Sequence, residues 1–128
     1  MYNGRRVHRG QTEETVKHRM REDAAPRLAE LAPQVATLRL ILEEQRAGGA
    51  KLGLSYVRPI VVSSAPAYFG IRCMEPRCDG RHELTEAILE ALRLRLHDFK
   101  AESACSGIVN NALCQRILVY TCEATYHA

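Results

Sequence analysis

An α+β fold is predicted by three features of the 128-residue sequence. Apolar residues recur at helical spacing before residue 48, the vocabulary turns to β-formers after residue 53, and all five cysteines lie between Cys73 and Cys122. The expected order is an N-terminal helix followed by β-β-α-β: a small antiparallel sheet with helices packed on it and a zinc site at one end. At 46% hydrophobic and 26% charged the chain has an ordinary globular composition. Its length suits one folded domain.

Residues 1–22 are polar, carry Gly4 and Gly10 and keep no period, which reads as a mobile, mildly basic arm. Leu28, Leu31, Val35, Leu38 and Leu42 then step by three and four, the stripe of an amphipathic helix over 23–48. Asp23 is placed to cap it, Pro26 is tolerated in its first turn, and Gly48-Gly49 ends it. Pro33 demands either a kink or a short turn at 27–32 ahead of a main helix. Leu40 and Ile41 widen the apolar face, which favours packing on a sheet over a narrow coiled-coil seam between two copies.

Residues 49–128 read as one cysteine-bearing ββαβ unit. Tyr56-Val57 and Ile60-Val61-Val62 flank Pro59, which belongs at an edge or a bend. Tyr68 to Cys73 reads as a second strand, so 54–73 is expected to be a hairpin. Thr85 is a suitable cap for a helix whose Ile88, Leu89, Leu92, Leu96 and Phe99 share one face. From Gln115 to Tyr126, Leu118, Tyr120, Cys122, Ala124 and Tyr126 alternate as in a strand with one buried face.

Cys73-x4-Cys78 closes one predicted strand and Cys105-x8-Cys114 precedes the next. Two such loop pairs form the layout of a structural tetrathiolate zinc site, with His82 as a reserve ligand. A helix from Thr85 to His97 is ~18 Å long, and the eight steps on to Cys105 reach back ~26 Å when extended. The sulfurs can therefore meet, provided the helix stops near His97. A longer helix would instead favour Cys73, Cys78, His82 and Cys122. On the alternating face with Leu118 and Tyr120, however, Cys122 reads as core.

The segment Pro76-Arg77-Cys78-Asp79-Gly80-Arg81-His82 resembles the end of the CDGSH iron–sulfur signature. In that family one Cys and one His bind a two-iron, two-sulfur cluster, and an upstream C-x-C pair completes it. The resemblance implies cluster ligation by Cys78 and His82. It covers seven residues; the family's upstream cysteines fall on Ala67 and Phe69, its Ser/Thr on Arg72, and Arg81 replaces the small residue before the histidine.

Net charge is +3, with 15 of the 18 cations arginine, as in proteins of GC-rich bacterial genomes. Charges of both signs are interspersed rather than clustered. Nucleotide-binding, metalloprotease, serine-hydrolase and deaminase motifs are all absent from the sequence. The expectation is a non-enzymatic, zinc-stabilised module that binds a protein partner or self-associates as a homodimer. One alternative is a nucleic-acid-binding regulator using Arg5, Arg6, Arg9, Lys17, Arg19 and Arg21 of the arm with Arg77 and Arg81. Against it, only Tyr2 among the aromatics falls outside structured positions, and single-strand binders need exposed rings. The other alternative is a metal-dependent or iron–sulfur redox protein using Cys78 and His82. His8, His18, His97 and His127 read as solvated. With six Lys/Arg and no apolar stretch in residues 1–22, a cytoplasmic location is expected.

Overall fold

Alternation, not helical stepping, governs the leucines after Pro33. In the computed structural model, which describes residues 13–46 and 51–128, Val35–Gln45 is a strand. In chain order the elements are α1 (Glu13–Ala24), α2 (Leu28–Leu31), β1 (Val35–Gln45), β2 (Lys51–Ile60), β3 (Gly70–Arg72), β4 (Arg81–Glu83), α3 (Thr85–Arg93), β5 (Asp98–Ala104), β6 (Ile108–Val109), β7 (Ala112–Leu113) and β8 (Ile117–Tyr126). The fold mixes helix and strand around a four-stranded antiparallel sheet of order β2-β1-β8-β5. Two small antiparallel pairs, β3–β4 and β6–β7, stand beside it.

The amphipathic helix expected over 23–48 is therefore corrected. Val35, Leu38 and Leu42 satisfy a helical step, but Leu38, Leu40, Leu42 and Glu44 also satisfy a period of two, and all four are buried. Neighbouring strands decide between the two periods. Across β8, Leu38 faces Ala124, Leu40 faces Cys122 and Leu42 faces Tyr120, so one continuous inner face forms. Leu31, on the expected stripe, ends up 53% exposed in α2. Helix does form earlier: α1 occupies 13–24, most of it within the 1–22 segment read as a mobile arm, and residues 1–12 and Gly48-Gly49 lie outside the described residues.

Pro59 sits on β2, an edge strand, the part of a sheet to which proline is confined. The hairpin expected at 54–73 is not made. β2 pairs with β1, whereas β3 pairs with β4 around the Cys73–Cys78 loop. Nor are β3 and β8 neighbours in one sheet. Helix α3 begins at Thr85 and stops at Arg93, short of His97. Arg95 at φ 57° reverses the chain. Its N–H bonds Leu92 O at 3.1 Å while that of Leu96 bonds Ala91 O at 3.0 Å, the paired pattern that closes a helix end. The return to Cys105 is extended, and it becomes β5, pairing with β8. Phe99 thus belongs to that strand, where its ring meets Tyr120 edge-on.

The core lies between the inner sheet face and α3. Leu40, Leu42 and Leu118 pack with Ile88 and Leu92 of the helix and with Leu28, Phe69 and Leu84. Full burial of each such side chain contributes about 1.5–3 kcal/mol. Cys122 is in this cluster, 1% exposed, with its thiol pushed up to about 11 by burial. Among the described residues no helix is long and apolar enough to cross a membrane.

Candidate metal centre

Each small strand pair presents two cysteines, and both loops are tied in the same way. In the first, Cys73 N–H donates to Gly80 O at 3.1 Å and Cys78 N–H to Glu75 O at 2.9 Å. In the second, Cys105 N–H donates to Arg116 O at 2.9 Å and Cys114 N–H to Gly107 O at 3.0 Å. The first cysteine always bonds the carbonyl two residues beyond the second, and the second bonds the carbonyl two residues beyond the first. The same four residues then supply N–H groups to sulfur. Glu75 donates to Cys73 Sγ at 3.5 Å, Gly80 to Cys78 at 3.3 Å, Gly107 to Cys105 at 3.2 Å, and Arg116 to Cys114.

The loops meet glycine to glycine. A Cβ on Gly80 would stand 2.6 Å from Cys105 Sγ, and one on Gly107 would stand 2.8 Å from Gly80 Cα. Neither position has room for a side chain, which is why the sulfurs can converge. Cys73 and Cys114 Sγ are 3.7 Å apart, Cys78 and Cys105 Sγ 3.5 Å apart, and all four lie within 4.8 Å of one another. Tetrahedral thiolates at a metal–sulfur distance of about 2.3 Å would be about 3.8 Å apart. These four cysteines could bind a metal ion.

Burial pushes the Cys73 thiol well up and the Cys105 thiol up to about 12. At Cys114 burial acts in the same sense but is outweighed by the Arg116 N–H and by hydrogen bonds from Cys73, Cys78 and Cys105, so this thiol lies below its ordinary range. A buried cluster of this kind holds few thiolates by itself; a bound cation reverses that balance by deprotonating its ligands.

His82 is adjacent to this centre but turned to other partners. Its Nδ1 lies 2.8 Å from the Ser103 carbonyl and its Nε2 2.9 Å from Glu44 Oε2. Glu44, missed by the sequence reading, is fully buried and organises the boundary between core and cysteines. Met74 N–H donates to both its oxygens at 3.1 Å, and Arg116 reaches Oε1 at 2.8 Å while holding Glu75 at 3.1 Å. Burial raises the Glu44 pKa, yet the hydrogen bonds from His82, Arg116 and Met74 prevail and keep it below normal. Glu44, Cys73 and His82 also lie within 4.8 Å of one another, but Arg116 against the carboxylate would repel a second cation there. Among the described residues, no grouping of three or more such ligands contains both Cys78 and His82, and none contains Cys122.

The arginines flanking the ligands divide into two groups. Arg77 and Arg116 engage Glu75, on the cysteine side. Arg72 and Arg81 instead turn to a cavity beside α1. His18 lines that cavity too and is only 7% exposed, which corrects the reading of it as solvated. The chain matches no protein-family model, no curated protein and no solved structure.

Proposed function

We propose that the chain is a non-enzymatic, zinc-stabilised interaction module that binds a protein partner or a second copy of itself. One observation carries the metal half: four sulfurs at tetrahedral spacing, each accepting the N–H two residues on. Four protein ligands leave no open coordination position, the form that structural sites take, and zinc suits soft thiolates without redox chemistry. The interaction half is supported by the tip of the second loop. Ile108 and Leu113 face each other across β6–β7 and are 62% and 66% exposed, an apolar pair carried on a loop that the metal would hold rigid.

Elemental analysis and an absorption spectrum of the purified full chain test the metal. One equivalent of zinc without a visible band is expected; iron with a charge-transfer band would replace the proposal with a redox protein. Cys105→Ser and Cys114→Ser should each lower zinc content, while Cys122→Ser retains it. Sedimentation equilibrium tests self-association. Mass should rise with concentration in the wild type and not in Ile108→Asp with Leu113→Asp at equal zinc content; a wild-type monomer throughout would leave only the partner branch.

A further inference from the structure

Arg72 and Arg81 are direct partners across β3–β4, a juxtaposition that repels unless negative charge accompanies it. Both line a polar cavity of about 200 Å³ between α1 and this strand pair, with Arg19 of α1 and Arg58 of β2 on its walls. None of these four guanidiniums has an ion pair among the described residues, and Glu22 is the one carboxylate on the lining. One carboxylate on the walls therefore stands against four guanidiniums.

Two buried nitrogens, one of His18 and one of Arg81, also lack a hydrogen-bond partner among the described residues. His18 Nδ1 is 2.5 Å from the Tyr68 hydroxyl. Its Nε2 has Glu14 Oε2 as a neighbour at 3.2 Å, outside hydrogen-bonding geometry. Arg81 Nε is likewise buried without a hydrogen-bond partner among the described residues. Burial, then the Arg81 charge, holds the His18 pKa below its ordinary value, which disfavours a fifth positive charge here. The wall itself is braced: Arg21 bonds Glu83 at 3.1 Å and stacks over Tyr68 at 5.2 Å from the ring centre, pinning α1 to the strands.

We propose that this cavity binds a phosphate-class oxyanion, with Arg19, Arg58, Arg72 and Arg81 neutralising its charge and the unpartnered Arg81 Nε donating a hydrogen bond. Several acceptor oxygens carrying multiple charge match convergent guanidiniums better than a single planar carboxylate does. The phosphate group has two sources, a free phosphate or monoester and the backbone of a nucleic acid.

The test titrates the full, zinc-loaded chain with inorganic phosphate and, separately, with a short oligothymidylate bearing free hydroxyl ends. Saturable binding of at least one, with a shift of the His18 ring resonances, is expected. Phosphate alone binding would identify a free phosphate or monoester; the strand binding, with affinity falling steeply as salt rises, would identify a backbone diester. Arg58→Gln with Arg72→Gln, both at exposed residues, should weaken binding by about tenfold or more, whereas Arg93→Gln on α3 should not. Without ligand the double variant should melt no lower than the wild type, because a like-charge pair has been relieved. Failure of both titrants to saturate, or equal binding by the double variant, overturns the proposal. Zinc content read on the same samples keeps this outcome separate from that of the metal centre.

Discussion

The two ends of β8 are held by different physics. Toward Tyr126, its inward residues Tyr120, Cys122 and Ala124 meet leucines of β1, and the side chains around them share one apolar core with α3. Toward Ile117, the strand leaves the sheet at Arg116 and Cys114, where strands are two or three residues long and the cluster consists of cysteines with Val109. The core is redundant, because many residues bury area and none is unique. The cysteine end has little apolar surface and is held by backbone bonds to sulfur and by the Glu44 network at the boundary, to which the proposed metal would add ligation.

Metal removal should separate the two ends most sharply. Structural zinc contributes about 10–16 kcal/mol of apparent binding energy in small zinc peptides. A strong chelator should therefore abolish amide-exchange protection in β3, β4, β6 and β7 while β1 and β8 near Leu40 keep theirs. Simultaneous loss everywhere would show that the ends are a single cooperative unit. Glu44→Ala should cost about 3–5 kcal/mol in urea unfolding, because it strands His82 and Arg116 beside a buried vacancy. An effect near zero would remove the network from the account.

On the core side, Leu40→Ala should cost about 2–5 kcal/mol at unchanged zinc content. Gly107→Ala should cost about 1–3 kcal/mol by overpacking, and it should weaken metal affinity, since Cys78 and Gly80 would have to move. Retained affinity there would mean that the two loops yield independently. Leu31→Ala, at a half-exposed position, should stay within about 0.5 kcal/mol. The contrast between Leu31 and Leu40 thus measures whether the strand period or the helix period describes this run.

What could be read from sequence depended on whether a residue's role follows from its type or from its neighbours. Cys73, Cys78, Cys105 and Cys114 stand out by chemistry and spacing, and the alternation from Leu118 to Ala124 was unambiguous. Between Val35 and Gln45 two periods fit the same leucines, and only pairing with β2 and β8 selects one. That ambiguity also hid Glu44, which becomes an inward-facing residue only once the period is two. Strand β5, Asp-Phe-Lys-Ala-Glu-Ser-Ala, has no β-branched residue; its conformation comes from its partner rather than its own preference. His18 was masked in the same way, since a polar segment shows no sign of the tyrosine that receives it.

The position of β8 in the sheet also bears on how the chain is made. It follows every other element in sequence yet lies between β1 and β5, so Val35 must find Tyr126 and Asp98 must find Glu123. During synthesis the β1–β2 hairpin can form early, but β1 and β5 each retain an open edge until the last strand emerges. The same stretch of chain delivers Cys114 immediately before β8. Sheet and cysteine cluster are therefore completed within one short interval of translation, and pairings this distant in sequence make that closing step slow. A ribosome stalled before Ile117 would hold a nascent chain with four thiols and unpaired edges on β1 and β5, the form most exposed to misassembly.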